Sequence, residues 1–164
     1  MYVLDNKNII YSFCYSLSGK NYYLYTNDSS KAVKDFDQKT SDGEAYYTKD
    51  VDYSEIKEIF DIDYFATLKN ESCENGYFYV EFVSGDIISL FHFGERIPGW
   101  KQVDRNEYKK DVTASEIDKF YVRKTSYSIE EKIKRKNKII NEEYKEATLE
   151  EFLQAREMYD VKKI

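Results

Sequence analysis

"YFYVEFVSGDIISLFHF", residues 77–93, contains two aromatic-rich apolar runs separated by Ser84, Gly85 and Asp86. Short apolar runs rich in β-formers and bounded by turn residues are typical of strands. The stretch therefore predicts a β-hairpin. Both runs are apolar at successive positions, which predicts central strands that are covered on both faces.

Further strands extend the predicted sheet in both directions along the chain. Residues 64–69 precede the hairpin and complete a three-stranded antiparallel meander with it. Residues 9–17 alternate apolar and polar side chains, the period of a half-buried strand, and residues 22–26 form the returning strand after a turn at 18–21. A last strand is predicted at 120–124. The expected sheet has five or six antiparallel strands, built from a hairpin and a meander.

Helices are predicted on either side of these strands. Residues 30–37 suggest a short helix, residues 38–50 a polar loop, and residues 53–61 an amphipathic helix. Ser128 with Glu131 and Thr148 with Glu151 have the spacing of capping boxes, which predicts two closing helices. The expected fold is a single α+β domain, with a sheet region at 1–124 and a packed C-terminal helical hairpin at 125–164.

Composition limits the class of protein. The chain has 164 residues, a normal size for one domain, and it is rich in aromatic residues, with 17 Tyr and 10 Phe. Its apolar runs are far shorter than the roughly 20 residues of a membrane helix, and its first residues lack the pattern of a secretory signal. Cys14 and Cys73 lack metal or redox spacing, so two reduced thiols and a cytoplasmic location are predicted.

The net charge of −6 is concentrated between residues 28 and 63, which contain eleven carboxylates and five lysines. Such a segment repels nucleic acid and attracts a basic protein, and tyrosine is common in binding surfaces. The alternative is that the acids only maintain solubility while the tyrosines pack in the core. The predicted partner-binding residues here are Asp35, Asp37, Asp42, Glu44, Tyr46, Tyr47, Asp50, Asp52, Tyr53, Glu55 and Glu58.

A basic run, "KIKRKNK" at residues 132–138, interrupts this acidic chain. On a helix, Lys134 and Arg135 each follow a glutamate by four residues, the favoured spacing for ion pairs. The run therefore resembles a solvated helix face more than a nucleic-acid site, which needs a connected basic stripe. Lys132 and Lys136 lack such helical partners and are the two basic residues predicted to contact a partner.

No catalytic motif is present in the sequence. It lacks the glycine-rich phosphate loops, the zinc-protease motif and the nucleophile elbow, and no cofactor or metal is predicted. His92 is the only histidine and lies in a strand expected to be buried, so a core role is favoured over a catalytic one. Paired carboxylates at 50–52 and 61–63 are interpreted as helix-boundary residues.

Three functions remain open from the sequence. In size, acidic charge and apparent low-GC codon bias, the chain is similar to small phage anti-defence proteins such as anti-CRISPRs; the similarity is limited to those properties. It implies a non-enzymatic inhibitor of a basic bacterial protein, such as a nuclease or nucleic-acid-binding effector. The alternatives are a toxin-immunity protein and a small enzyme or ligand-binding module that uses His92, Cys14 or carboxylates. A homodimer is also compatible with the sequence.

Overall fold

A computed structural model describes residues 1–16, 21–33 and 35–159 of the chain. The described residues form twelve strands, two α-helices and two short 3-10 turns. The strands are β1 Tyr2–Asp5, β2 Ile10–Tyr15, β3 Tyr22–Thr26, β4 Asp37–Ser41, β5 Glu44–Asp50, β6 Ile56–Leu68, β7 Phe78–Ser84, β8 Ile87–Phe93, β9 Lys101–Asp104, β10 Glu107–Thr113, β11 Ile117–Tyr127 and β12 Ile139–Ala147. The helices are α1 Ile129–Ile133 and α2 Leu149–Tyr159.

The predicted α+β class with five or six strands is wrong, because the described chain is mostly antiparallel sheet. The quoted hairpin is present as β7 and β8, with Ser84 opposite Ile87. The N-terminal strands are present as β2 and β3, with Cys14 opposite Tyr23. The turn predicted between them falls largely on residues 18–20, which lie outside the described residues, as does Leu17.

The helix predicted at 53–61 is wrong. A 3-10 turn covers Tyr53–Glu55, and β6 begins at Ile56. Ile56, Ile59 and Phe60 have helical spacing, but β-branched and aromatic residues also favour strands. Cross-strand pairing with β1, where Val3 lies opposite Ile59, decides the outcome in favour of the strand.

The segment from residue 30 to residue 50 also differs from the prediction. The described part of 30–37 contains no helix; Lys31, Val33 and Phe36 instead make isolated turn hydrogen bonds. Residues 38–50 are not a loop but most of a hairpin, in which β4 and β5 are joined by Asp42 and Gly43. Both turn residues have positive φ, 51° and 83°, as a two-residue hairpin of the I′ type requires.

The C-terminal helical pair is wrong because its first helix is only one short turn. Ser128 caps α1 by accepting a hydrogen bond from the Glu131 amide, but α1 ends at Ile133. Arg135 then adopts a left-handed conformation, with φ 61°, and the chain becomes extended in β12. The second predicted helix is present as α2, with the reciprocal hydrogen bonds between Thr148 and Glu151.

The described chain folds as two compact units. The first unit comprises Met1–Asp61, Lys124–Glu142 and Tyr159. Its strands follow the order β4-β5-β3-β2-β1-β6. One face of this sheet carries a core cluster that includes Val3, Tyr11, Phe13 and Leu24.

The second unit comprises Ile62–Arg123 and Glu143–Met158. Its strands follow the order β6-β7-β8-β10-β9, and β6 therefore contributes residues to both units. On one face of this sheet, Phe78 stacks on Trp100 at 4.7 Å between ring centroids. Phe152 of α2 packs in the same cluster.

Neither helix of the described residues has the length and the continuous apolar character that crossing a membrane would require.

Glu71 links two side chains of the second unit. One of its oxygens accepts a hydrogen bond from the buried Trp100 indole at 2.7 Å, and the other accepts one from Lys110. Burial raises the pKa of Glu71, but these hydrogen bonds and the Lys110 charge outweigh it, so the pKa is lowered from its ordinary value of 4.5.

This pKa shift predicts a specific acid sensitivity. Because the folded-state pKa of Glu71 is below the unfolded one, its stabilising contribution is present above pH 4.5 and is lost as the pH falls through the folded-state value. Denaturant titrations between pH 7 and pH 3 should show the free energy of unfolding falling in this acid range. Glu71→Gln should start from a lower stability and fall less steeply. An equally steep fall in the variant would contradict the assignment.

Candidate functional site

An open groove of about 750 Å³ lies on the first unit. Its lining residues Tyr23, Thr48 and Asp50 project from the sheet face opposite Leu24 of the core cluster, whereas Lys49 reaches it from the Leu24 side. Strands β3, β4 and β5 supply most of its surface, and two connecting segments supply the remainder. The lining residues are Ser16, Asn21, Tyr23, Asp35, Asp37, Lys39, Tyr46, Thr48, Lys49 and Asp50. We call this feature the acidic groove.

Strand register explains why these residues converge. Tyr23 of β3 lies opposite Asp50 of β5, and Tyr46 of β5 lies opposite Lys39 of β4. Directly opposed residues in an antiparallel pair project from the same face of the sheet. The Tyr46 ring also approaches Tyr25, with 5.5 Å between centroids, so the floor of the groove is aromatic.

Two carboxylates of the groove are positioned by an aromatic anchor. Phe36 stacks on Tyr11 of the core cluster at 5.3 Å between ring centroids. Its neighbours Asp35 and Asp37 therefore stay beside the groove. Asp35 adopts a left-handed backbone conformation, φ 81°, which aspartate tolerates better than most residues.

The charge of the groove is negative on balance. Among its lining residues, three carboxylates (Asp35, Asp37 and Asp50) stand against two lysines. Lys49 is already paired, since its ammonium lies 2.7 Å from the Glu55 carboxylate. The groove consequently favours a cationic ligand, and its tyrosines add contact area.

Two titratable groups at the floor of the groove, the Tyr23 phenol and the neighbouring Cys14 thiol, have pKa values raised above their ordinary values. Burial raises the pKa of Tyr23, and the neighbouring Cys14 raises it further. Burial also raises the pKa of the Cys14 thiol above its ordinary value of 9.0, despite a hydrogen bond to Tyr23 that lowers it. A protonated thiol is a poor nucleophile, which disfavours catalysis by Cys14.

Other predicted site residues of the acidic segment lie elsewhere. Asp42 and Glu44 are exposed at the β4–β5 turn, and Tyr47 projects from the opposite sheet face to Tyr46. Tyr53 packs against the core cluster. Asp52 accepts hydrogen bonds from the amide and hydroxyl of Ser54, at 2.9 and 2.6 Å, which lower the pKa of Asp52. Its carboxylate therefore stabilises the 3-10 turn.

The Glu58 carboxylate is hydrogen-bonded within the first unit. Its carboxylate accepts hydrogen bonds from Lys124 at 2.7 Å and Ser126 at 2.6 Å. Burial raises the pKa of Glu58, but those hydrogen bonds and the charges of Lys124 and Lys57 lower it more, so the net shift is downward. Glu58 is thus a structural carboxylate that ties β6 to β11.

The two lysines that the sequence predicted to contact a partner differ in burial. Lys132 is only 4% exposed; its ammonium donates to the Asn137 side-chain oxygen at 2.6 Å and lies 5.1 Å from the centre of the Tyr22 ring. Lys136, four residues later, is exposed. Only Lys136 presents its charge on the surface.

Comparison with known proteins places this chain in a family. A family model described as "Uncharacterised conserved protein UCP033725" matches residues 6–129. The chain belongs to this family. The UCP033725 match covers about three quarters of the sequence, including the whole acidic groove, and ends before Lys132, β12 and α2. Comparisons with curated proteins and with solved structures found no significant match.

His92 lies in the second unit and lines a separate pocket of about 580 Å³ with Cys73, Glu74, Glu95 and Arg96. The histidine is 2% exposed, and its Nε2 atom has no hydrogen-bond partner. Its ring stacks on Tyr108 at 5.3 Å, so it is part of the aromatic core. The described residues contain no group of three or more His, Cys, Asp or Glu side chains arranged to hold a metal ion.

Sequence reasoning treated residues 38–50 as a loop and therefore did not pair them with the strand at 22–26. The lining residues that it missed are Ser16, Asn21, Tyr23, Lys39, Thr48 and Lys49. The dipeptide Asp42-Gly43 is a strong hairpin signal and would have placed β4 beside β5. With that pairing, the alternation of β5 puts Tyr46 and Asp50 on one face and Tyr47 on the other.

Proposed function

We propose that this protein is a non-enzymatic interaction protein whose acidic groove binds a basic, extended segment of a partner protein. The observation that carries the proposal is the convergence of Asp35, Asp37 and Asp50 around a tyrosine-lined floor. A lysine- or arginine-rich segment would pair with the carboxylates, while its aliphatic stems would pack on Tyr23 and Tyr46.

The strand arrangement supports an extended ligand. β4 is the last strand in the pairing order of the first unit, and its five residues are exposed. An outer strand offers free backbone amides and carbonyls to an added strand, which is a recurrent mode of peptide recognition. Asp37 and Lys39 lie on this strand and also line the groove.

Binding of a defined probe tests the proposal. A labelled ten-residue peptide of alternating Lys and Ser should bind the protein at low salt, and binding should weaken strongly at high salt. The double variant Asp37→Lys/Asp50→Lys should weaken binding by about 10- to 100-fold, because two attractive charges become repulsive. Fluorescence anisotropy measures both effects.

Matched controls make the result specific. Asp86→Lys changes the net charge by as much as each of the two groove substitutions does. Because Asp86 is an exposed residue between β7 and β8, away from the groove, peptide binding should stay close to wild type. A Glu-Ser peptide should not bind. Equal weakening by Asp86→Lys, or wild-type binding by the double variant, would contradict a role for the groove.

The identity of the partner is part of the same proposal. The sequence predicts a nuclease or nucleic-acid-binding effector, with anti-defence and toxin-immunity roles as alternatives. Capture from a low-GC bacterial lysate, compared between wild type and Asp37→Lys/Asp50→Lys, would identify proteins that depend on the groove. Recovery of a nuclease whose activity falls on binding would support inhibition; recovery of a toxin encoded beside this chain would favour immunity.

A further inference from the structure

Strand β4 has one backbone edge with which no other described strand pairs. It lies at the end of the pairing order of its unit, and β5 is its only neighbour among the residues that the structure describes. The two strands are joined by the two-residue turn of Asp42 and Gly43, so Ser41 lies opposite Glu44 beside the turn. The register of this hairpin determines which backbone groups of β4 are available to a ligand.

The backbone groups of β4 point alternately toward β5 and away from it. In a hairpin with a two-residue turn, the pair beside the turn exchanges two hydrogen bonds, and hydrogen-bonded and non-hydrogen-bonded pairs then alternate along the strands. Lys39 therefore belongs to a hydrogen-bonded pair, whereas Gln38 and Thr40 belong to pairs that are not hydrogen-bonded. The amides and carbonyls of Gln38 and Thr40 consequently point away from β5, to the outer edge of the sheet.

The side chains of β4 follow the same alternation. Asp37 and Lys39 line the acidic groove, and Gln38 and Thr40 project from the other face of the strand. All five residues of β4 are exposed. Within the described part of the chain, neither Asp37 nor Lys39 forms a hydrogen bond or an ion pair through its side chain. A ligand at this edge therefore meets one negative and one positive charge on the groove side, and uncharged side chains on the other.

We propose that the basic partner segment adds to β4 as a further strand, with a basic residue beside Asp37 and an acidic residue beside Lys39. The inference rests on the proposed function of the groove and specifies its ligand. An added strand would bond to the backbone of Gln38 and Thr40, and every second side chain would face the groove. Directly opposed side chains of paired strands lie about 5 Å apart, so opposite charges attract and like charges repel.

The ligand therefore carries its charges on every second residue. The cation beside Asp37 and the anion beside Lys39 are two residues apart, with an uncharged residue between them. The third groove-facing position lies beside Ser41, whose partner on β5 is Glu44, and it again suits a cation. The symmetrical pattern Lys-Ser-Glu-Ser-Lys satisfies all three positions in either strand direction. A contact that depended on net charge alone would not distinguish this order from others.

Amide hydrogen exchange measured by NMR tests the backbone part of the proposal on the full chain. With saturating alternating Lys-Ser peptide, exchange of the Gln38 and Thr40 amides should slow by about tenfold or more, because both gain hydrogen bonds. The Lys39 amide is already bonded to β5 and should change less. If peptide binding depended on Asp37 and Asp50 but left the Gln38 and Thr40 amides unprotected, strand addition would be wrong while the groove proposal would stand.

An exchange of charges tests the side-chain part. Two ten-residue peptides are compared: the alternating Lys-Ser peptide, and the same peptide with its third lysine replaced by glutamate. Lys39→Glu should shift the ratio of their dissociation constants by about tenfold or more in favour of the all-lysine peptide. Lys101→Glu makes the same charge change at an exposed residue of β9, and the ratio should stay within about twofold of wild type. An unchanged ratio in Lys39→Glu would overturn the proposed register.

A second copy of the chain would compete for the same edge. Without peptide, protection of the Gln38 and Thr40 amides that rises with protein concentration would overturn the proposal in favour of strand pairing between copies. Circular dichroism establishes that the variants are folded, as expected because Lys39 and Lys101 are both exposed. The exchange measurement uses the wild-type chain and does not depend on either variant.

Discussion

Phe152→Ala is expected to lower the free energy of unfolding by about 3–5 kcal/mol, the usual cost of truncating a buried phenylalanine. Phe152 is fully buried, and its ring contacts Phe120 at 4.6 Å and Tyr64 at 5.5 Å between centroids. It is the only buried residue of α2. Removing its ring would leave a cavity in the core of the second unit and release the helix.

The adjacent residue supplies the matched control. Leu153 lies on the same helix but is 41% exposed, so Leu153→Ala should cost less than about 1.5 kcal/mol. Urea denaturation followed by circular dichroism measures both variants. If Phe152→Ala and Leu153→Ala lowered the free energy of unfolding by similar amounts, the stability of α2 would not depend on the buried Phe152 ring.

Lys132→Glu is expected to destabilise the protein by about 3–5 kcal/mol, as uncompensated buried charges do. The substituted carboxylate would lie among groups that suit a cation: the Asn137 side-chain oxygen and the faces of the Tyr22 and Phe13 rings. Aromatic faces are electron-rich and attract cations, so the same surroundings would disfavour an anion.

Lys136→Glu makes the identical charge change four residues away at an exposed position, and its effect on stability should stay within about 0.5 kcal/mol. Chemical denaturation of the two variants side by side measures the difference. If both variants were equally stable, Lys132 would not be a structural residue. The comparison also separates the two basic residues that the sequence treated as equivalent.

The periodicity of the sequence was sufficient for the strands that have clear turns beside them. Residues 22–26 and 87–93 form strands with the predicted bounds, because alternation or a short apolar run between polar turns leaves few other structures. The same method failed at 53–61, where Ile56, Ile59 and Phe60 satisfy both the helical and the strand interpretation. Pairing with β1, which lies more than fifty residues earlier, was not visible locally.

The basic stretch at 132–138 shows the same limit. Ser128 and Glu131 indicated a helix start correctly, but capping energetics govern where a helix begins and do not determine its length. α1 ends after five residues, and β12 pairs with β11 instead. Lys132 became a buried cation because this short turn places it against Phe13 and Tyr22.

The sequence by itself determined the charge, the aromatic content and the acidic segment that supplies most of the residues of the groove. Those properties belong to the residues and do not depend on their arrangement. Only the tertiary structure decided which acids converge: Asp35, Asp37 and Asp50 do, whereas Glu58 forms internal hydrogen bonds. Strand register makes that selection, because a shift of one residue exchanges the two faces of a strand. The register depends on pairing between distant segments, which composition and local periodicity do not encode.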